Sequence, residues 1–406
     1  MIGIIPASLT LSRSAPPLIG SGTLLSGVTL TRASKAWVRG TDDVSWAEMT
    51  NDQPRFQGGA RRLLVEGART NLVRNPRAQG VVGGTPGTPP TNAQMLGGNA
   101  NGFGGITYRV VGAATLNGLP AWDVEFTCAS AAAISLINFE VGLPIAAGAY
   151  TWSAMYQAVS GTAPGLTQLL GSNVGDLASQ AFSPGAAASR PEVRVASSGS
   201  ATNVWPSLKI TAAGFSGTFV LRIAAPQLEQ AGFASTPVLP SAGTVAASTR
   251  ATDFLAASLP ALGIAGDFTI WGRAIVPSGI PGGMYLLSAD DGTNNNRAAL
   301  GWPGGTSILN HSPTAAGSFT GNSTIGATDA NAFGFSLAVS SGRMAASLNG
   351  AAPVIRTTAV PTVTLTTLRV GNLGLGSSPM FGEIGPLMIR PGAVSDAALQ
   401  SLSVGT

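Results

Sequence analysis

Four oxygen-bearing side chains lie close together in the stretch SADDGTNNNRAALGW, residues 288–302. Asp290, Asp291, Asn294 and Asn296 offer carboxylate and amide oxygens, which are the ligand types that Ca²⁺ prefers in proteins. The stretch lacks the complete D-x-D-x-D-G pattern of a calcium-binding loop. The sequence therefore leaves two interpretations open: a Ca²⁺ site held by Asp290 and Asp291, or a polar hairpin turn without a metal.

The residues that could carry catalysis are few. His311 is the single histidine and Cys128 the single cysteine, so a His/Cys metal cluster is ruled out, and no G-x-S-x-G motif accompanies the histidine. Hydrolysis of a sugar polymer needs two carboxyl groups across the bond, and the E-x-D-x-x-E pattern of concanavalin-like glycanases is absent. We therefore predict no enzyme and no cofactor beyond the candidate Ca²⁺. A polysaccharide depolymerase that uses Asp290 or Glu383 is the least favoured alternative.

Aromatic side chains suggest a different chemistry, because a flat ring can stack on the apolar face of a sugar. Trp205, in NVWPSLKI, and Trp302, in GWPGGT, each precede a proline, and we expect both at loop edges. Tryptophans inside alternating strands are instead expected to anchor the core. The predicted glycan-contacting residues are Trp205, Trp302, Asn294 and Asn296, and packing in a core or an interface is the alternative for both tryptophans.

The positive charge of the chain is concentrated near its N-terminus. Residues 1–77 hold ten Arg or Lys and five Asp or Glu, whereas the remainder holds twelve and thirteen. The basic residues are scattered, so we do not predict nucleic-acid binding. Arginine makes forked hydrogen bonds to carboxylates and carbonyls of a partner, which favours a docking segment. Its candidate residues are Arg32, Trp37, Arg39, Arg55, Arg61 and Arg62.

Short β-strands are the elements that must position these side chains. Hydrophobic residues make up 44% of the chain and charged residues 10%, with 54 glycines. Small and β-branched residues with few charges are typical of short strands joined by tight turns. Segments such as AWDVEFTCA and YTWSAMYQAV alternate apolar with polar residues, as half-buried antiparallel strands do. The sequence therefore predicts an all-β protein.

The strand pattern divides the chain into an extended arm and two antiparallel β-sandwiches of the jelly-roll, lectin-like kind. Residues 1–71 show no sustained period, so we expect an arm that neighbouring subunits order. Residues 72–237 and 253–406 each contain strand-like segments separated by Gly, Pro, Asn and Ser clusters. Residues 238–252 are the predicted linker, and the only helix is expected after the N-cap residue Ser395.

Targeting signals are not recognisable in this sequence. Residues 1–11 lack a basic segment and contain Pro6, unlike a secretory signal peptide. No window reaches the ~20 uninterrupted apolar residues that a membrane span needs. We therefore expect synthesis in a bacterial cytoplasm, without a signal peptide and without membrane insertion.

Three stretches resemble virion structural proteins of tailed bacteriophages and related gene transfer agents. TRAS (Thr31–Ser34), PRF (Pro54–Phe56) and LLVEGARTNL (Leu63–Leu72) resemble the segment that opens many such proteins. PQLEQAGFASTPVLPSAG followed by STRATD resembles their inter-domain junction. GEIGPLMIRPGAVSDAALQSL resembles the end of their concanavalin- or laminin-G-like domain, and residues 72–237 are more loosely similar to carbohydrate-binding modules.

The resemblance implies a surface appendage of a particle: a head spike, a head fibre or a tail fibre. We expect a non-enzymatic, homotrimeric protein that docks onto capsid or tail proteins through its N-terminal arm. It would sit on the virion surface and help adsorb the particle to host cell-surface polysaccharide. A purely architectural capsid or tail decoration or adaptor subunit, with no ligand, remains the main alternative.

Overall fold

The computed structural model describes residues 17–96, 106–129, 134–211, 215–277, 282–304, 308–328, 332–374 and 378–404. Within these ranges the protein is antiparallel β-structure, with one α-helix, α1 (Asp396–Leu402), and one 3-10 turn, Pro260–Leu262. The predicted all-β class with two antiparallel sandwiches is confirmed. Ser395 caps α1 as predicted, because its hydroxyl oxygen accepts a hydrogen bond from the backbone N–H of Ala398.

The N-terminal segment, residues 17–71, is built from short strands. They are β1 (Ile19–Gly20), β2 (Thr23–Leu24), β3 (Val28–Thr31), β4 (Ala36–Arg39), β5 (Trp46–Met49), β6 (Arg55–Gln57), β7 (Arg62–Val65) and β8 (Arg69–Asn71). Strands this short are not stable alone, so other parts of the molecule must hold them.

The middle sandwich packs a five-stranded sheet against a six-stranded sheet. Its strands are β9 (Gln94–Leu96), β10 (Ile106–Leu116), β11 (Leu119–Cys128), β12 (Ile134–Asn138), β13 (Leu143–Pro144), β14 (Tyr150–Ser160), β15 (Leu166–Ser172), β16 (Gly175–Phe182), β17 (Glu192–Val195), β18 (Asn203–Thr211) and β19 (Gly217–Glu229). The orders are β10-β11-β19-β14-β17 and β16-β15-β18-β12-β9, with β13 beside β18. Trp122 and Trp152 from the first sheet meet Leu170 and Leu208 from the second in the core.

The remaining strands build the C-terminal sandwich, except the first of them, which pairs with β8 of the N-terminal segment. They are β20 (Ser248–Arg250), β21 (Phe254–Ser258), β22 (Phe268–Ile275), β23 (Met284–Asp290), β24 (Arg297–Trp302), β25 (Ile308–His311), β26 (Ser323–Ala327), β27 (Phe333–Ser340), β28 (Arg343–Leu348), β29 (Val354–Arg356), β30 (Thr367–Val370) and β31 (Gly382–Pro391). One sheet runs β2-β1-β31-β22-β27-β28-β29, with β7 on β31 and β6 on β7, and the other runs β26-β25-β24-β23-β30-β21-β3. β27 and β28 form a hairpin whose two-residue turn is Ser341–Gly342, as expected for a Ser-Gly pair between two strand-like segments.

The N-terminal segment is ordered by its own chain, which corrects the expectation that neighbouring subunits order it. β3 adds an edge strand to one sheet of the C-terminal sandwich, with Leu30 opposite Leu255. β1 and β7 pair with β31 of the other sheet, where Ile19 faces Leu387. The described part of the predicted arm is thus integral to the sandwich that lies farthest away in sequence.

The hairpin formed by β4 and β5 contacts the middle sandwich instead. Trp37 and Trp46 pack against Leu116, Met155 and Ala224 on the outer face of the five-stranded sheet. The N-terminal segment therefore contacts both sandwiches and fixes them to each other.

Candidate functional site

Asp290, the first residue of the predicted calcium loop, is buried and paired. Its Oδ2 accepts a hydrogen bond from Arg369 Nε at 2.6 Å, and its Oδ1 accepts one from the backbone N–H of Gly292 at 2.9 Å. A carboxylate held by arginine in this way is not free to bind a cation. The prediction that Asp290 binds a metal is therefore wrong, and its carboxylate forms a structural ion pair with Arg369.

Asp291 and Asn296 close the same loop on themselves. Asn296 Nδ2 donates to Asp291 Oδ2 at 2.8 Å, and the backbone N–H of Ala316 donates to Asn296 Oδ1 at 2.9 Å. Partial burial acts to raise the pKa of Asp291, but hydrogen bonds from Thr293 and Asn296 outweigh it and lower that pKa. Asn294 is exposed on the loop. This geometry favours the polar hairpin turn, and the described residues contain no group of three His, Cys, Asp or Glu placed to hold a metal.

Trp302 is buried completely, so the prediction that it stacks on a ligand is wrong. Its Nε1 donates to Thr328 Oγ1 at 2.8 Å, and its ring meets the Phe333 ring edge-on at 6.1 Å. It is the last residue of β24 and points into the core. The proline that follows Trp302 marks the end of the strand and says nothing about which face the indole takes.

Arg32 and Arg55 were predicted to dock a partner, but both are 1% exposed or less. Arg32 Nη1 donates to Asp253 Oδ1 at 2.9 Å, and Arg55 Nη1 donates to Glu66 Oε2 at 2.7 Å. Arg55 also pairs with Asp253 through its other terminal nitrogen. These two residues form ion pairs inside the protein, so the prediction that they dock a partner is wrong.

The same buried ion-pair cluster includes Arg250 from β20. Its Nη1 lies 3.0 Å from Glu66 Oε2, and its Nη2 donates to the carbonyl of Gly67 at 2.9 Å. Burial alone would raise the pKa of Glu66, but Arg250 and Arg55 outweigh this and lower it to about 2. Arg32, Arg55, Glu66, Arg250 and Asp253 are called the junction cluster below.

The remaining docking candidates divide into buried and exposed residues. Trp37 is buried against the middle sandwich, which removes it from any docking surface. Arg39 is exposed, with its guanidinium 5.3 Å from the Trp46 ring centroid, and Arg61 is exposed beside Gly22. Arg62 is half-buried and pairs loosely with Glu383 at 3.4 Å.

All the buried carboxylates of the described residues are paired with arginine. They are Glu66, Asp123, Glu140, Glu229, Asp253 and Asp290. His311 and Cys128 are buried as well, and burial raises the pKa of the Cys128 thiol. A general acid or nucleophile needs a group that can gain or lose a proton beside a substrate, and these groups are locked or enclosed.

The outer face of the six-stranded sheet gathers exposed side chains of the kind that contact sugars. Strand alternation places Val204, Leu208 and Ile210 of β18 in the core, so Trp205 and Lys209 point outward. Trp205 is half-buried; its carbonyl accepts a hydrogen bond from the Ser207 hydroxyl at 2.9 Å, and its indole N–H donates to no described residue. This outward face, from Asp176 on β16 to Gln94 on β9, is called the outer face below.

Trp205 has a glycine as its neighbour on the adjacent strand of the outer face. It lies directly opposite Gly171 of β15, and the place where a Gly171 Cβ would sit is 4.0 Å from Trp205 Cβ and 3.8 Å from Asp176 Oδ1. A Cβ at Gly171 would therefore make van der Waals contact with Trp205, and the glycine leaves this side of Trp205 without a side chain.

The next row along the outer face is polar. Ser207 lies opposite Asn138 of β12, and its hydroxyl donates to Asn138 Oδ1 at 2.7 Å. Gln94 follows on β9 and is exposed. Ser207 and Asn138 are only 1% and 4% exposed, so they satisfy each other within the sheet, and Gln94 is the polar side chain of this row that a sugar can reach.

The sequence analysis named Trp205 but not Lys209 or Gln94. For Lys209 the signal was present in NVWPSLKI, because strand alternation with Leu208 in the core puts Lys209 on the same face as Trp205. The predicted companions Asn294 and Asn296 lie in the C-terminal sandwich, far along the chain from β18. The structure therefore brings only one of the four predicted glycan residues onto this face.

No family model and no curated protein match this sequence. Among solved structures, the chain is similar to the CBM40 of the Ruminococcus gnavus IT-sialidase bound to α2,3 sialyllactose, with 14% identity, 36% of this chain and 86% of that one covered, and a TM-score of 0.30. It is also similar to domain 4 of AbnA, a GH43 extracellular arabinanase from Geobacillus stearothermophilus in complex with arabinotriose. The identity is 13%, the match covers 42% of this chain and 82% of that one, and the TM-score is 0.30.

A third solved structure matches over a longer stretch. The tandem CBM22-1–CBM22-2 domain of Xyn10C from Paenibacillus barcinonensis shows 10% identity over 77% of this chain and 97% of that one, with a TM-score of 0.27. Similarities this low leave the ligand of the outer face to be argued from its own residues.

Proposed function

We propose that this protein is a non-enzymatic surface appendage of a phage or gene-transfer-agent particle, and that it adsorbs the particle to host polysaccharide through the outer face of the middle sandwich. The particle part of the proposal is supported by the TRAS, PRF and LLVEGARTNL motifs. The low charged fraction of 10% also suits a protein that works in an assembly.

The observation that carries the adsorption part is the placement of Trp205. An outward, half-buried indole whose partner on β15 is a glycine offers a flat apolar platform to a ligand. The exposed amide of Gln94 lies in the next row, on the edge strand β9. A polysaccharide laid across the sheet would stack on the ring and hydrogen-bond to this amide.

The non-enzymatic part is supported by the state of the acidic groups. Each buried carboxylate of the described residues is engaged by arginine, and Asp176 is the single acidic residue within the described strands of the six-stranded sheet. One exposed carboxylate beside the platform cannot supply the acid and the base that glycoside hydrolysis needs.

Attachment to the particle is proposed to use the N-terminal side of the molecule, where Arg39 and Arg61 remain exposed. Arginine at such positions can reach carbonyls and carboxylates of a capsid or tail protein. A homotrimer at the virion surface, made in the bacterial cytoplasm, is part of the same proposal.

The test compares binding of the labelled protein to capsulated bacterial cells and to a capsule-free mutant. We expect binding to need the capsule and to fall by about tenfold in Trp205→Ala, because the platform is lost. Phe319→Ala is the matched control, since Phe319 is a 50% exposed aromatic on the C-terminal sandwich. Equal binding to both cell types, or equal loss in both variants, would overturn the adsorption role and favour an architectural subunit.

A further inference from the structure

The arginines of the middle sandwich are all engaged within the described chain. The partners are Glu140 for Arg74, Glu48 for Arg77, Glu125 for Arg109, Ser153 and the Ser235 carbonyl for Arg190, Glu192 for Arg194, and Asp123 for Arg222. The fold thus compensates the charged groups of this sandwich almost completely.

Lys209 is the exception. It is the only lysine of the middle sandwich, and no described residue forms an ion pair or a hydrogen bond with its ammonium group. It is half-buried in the centre of the outer face, between Thr167 on β15 and Leu136 on β12, which carry no charge. A cation with partly apolar surroundings gains more from an anionic partner than one in open water.

The other charged group on the outer face is too far away to compensate Lys209. Asp176 lies in the same row as Trp205, two strands over, and Lys209 is four residues beyond Trp205 on β18. Four residues of a strand span roughly 13 Å, well beyond ion-pair distance. The ammonium group of Lys209 is therefore free to pair with an anionic group of a ligand.

We infer that the outer face binds an acidic polysaccharide, with one sugar stacked on Trp205 and the carboxylate of another sugar on Lys209. This inference rests on the proposed function, because it names the ligand class of the same face. The roughly 13 Å between the two positions is longer than one sugar, so the bound segment is a linear stretch of several units.

The experiment is affinity electrophoresis of the full-length protein in gels that contain polygalacturonate, alginate or hyaluronate, each beside its carboxyl-esterified form and neutral dextran. We expect at least one acidic polymer to retard the protein, and esterification of that polymer to weaken binding about tenfold. Lys209→Gln should weaken it by a similar factor, and Lys209→Arg should restore it. Lys35→Gln is the matched control, because Lys35 is an exposed lysine already paired with Glu48 at 3.0 Å.

Folding is checked by the unfolding midpoint, which the substitutions at Lys209 should not change because its ammonium makes no contact. A competition assay tests the length: an oligomer of the retarding polymer should compete far better per mole than its monomer. Equal competition would overturn the extended binding mode.

Two outcomes separate this inference from the proposed function. If neutral polymers retard the protein through Trp205 while esterification and Lys209→Gln have no effect, the acidic ligand class is wrong and adsorption to glycans stands. If no polymer retards the protein and capsulated cells do not bind it, both are wrong.

Discussion

Arg32 Nη1 lies 2.9 Å from Asp253 Oδ1, although the two residues are 221 positions apart in the chain. Both side chains are fully buried. The contact joins the N-terminal segment to the first residues of the C-terminal sandwich, and Arg55 joins the same carboxylate from a second strand. The junction cluster therefore connects three parts of the sequence: the N-terminal segment, the end of the predicted linker and the C-terminal sandwich.

Replacing Asp253 should destabilise the whole protein. Asp253→Asn leaves Arg32 buried without a countercharge and Arg55 with Glu66 alone, and breaking a buried pair in this way costs about 3–5 kcal/mol. The free energy of unfolding in urea measures the effect. Glu125→Gln breaks the exposed pair with Arg109 and should cost about 1 kcal/mol or less. Similar losses in the two variants would contradict the role assigned to the cluster.

Deleting residues 1–71 should prevent the C-terminal sandwich from folding normally. The deletion removes β1, β3 and β7, which pair with β31 and β21, and it exposes the apolar surface that Leu30, Leu63 and Val65 cover. We expect aggregation or strong binding of a hydrophobic dye, because large exposed apolar patches associate. A truncated protein that unfolds with the midpoint of the full chain would show that the segment is dispensable.

His311 should make stability depend on pH between about 4 and 6.5. Burial, and secondarily the nearby charge of Arg356, lower its pKa from 6.5 to about 4. Between these two pH values His311 is therefore protonated in the unfolded chain and neutral in the folded chain. Stability is fully present above pH 6.5 and is lost as the pH falls toward 4, by an amount on the order of 3 kcal/mol.

The variant that tests this is His311→Leu. Neither ring nitrogen of His311 has a hydrogen-bond partner, and its neighbours Leu300 and Leu309 are in the core, so leucine removes no contact that the imidazole makes. Unfolding free energies at pH 7 and pH 4.5 should differ less in the variant than in the wild type. An unchanged difference would place the pH dependence elsewhere.

Glu66 should control stability in a lower pH range. Arg250 and Arg55 outweigh the opposing effect of burial and lower its pKa from 4.5 to about 2. Stability from this group is present above pH 4.5 and is lost as the pH falls toward 2. In the His311→Leu background, a further Glu66→Gln substitution should lower stability at pH 6 and flatten its decline below pH 4.5. Acid unfolding curves that keep the same slope would contradict this.

The strands, the β27–β28 hairpin and the cap of α1 could be predicted because their signals are local. Alternation predicts a half-buried strand, and Ser395 is recognisable as an N-cap. The pairing of β3 with β21 could not be predicted, since Leu30 and Leu255 are 225 positions apart and each strand fits many partners. For the same reason the sequence could not show that Arg32 and Arg55 are buried. Asp253, the carboxylate with which both pair, lies about 200 positions further along the chain.

Substitutions of Trp302 and Trp205 should have opposite effects on stability and on glycan binding. Trp302→Ala empties a core position and removes the hydrogen bond to Thr328, so it should cost about 3–5 kcal/mol of unfolding free energy. Trp205→Ala removes a half-buried outer-face side chain and should cost about 1 kcal/mol or less. Glycan binding per folded molecule should show the opposite order, being lost in Trp205→Ala and kept in Trp302→Phe, which preserves a ring in the core. If Trp205→Ala instead unfolds the protein, the indole belongs to the packing of the sandwich and the outer face offers no platform.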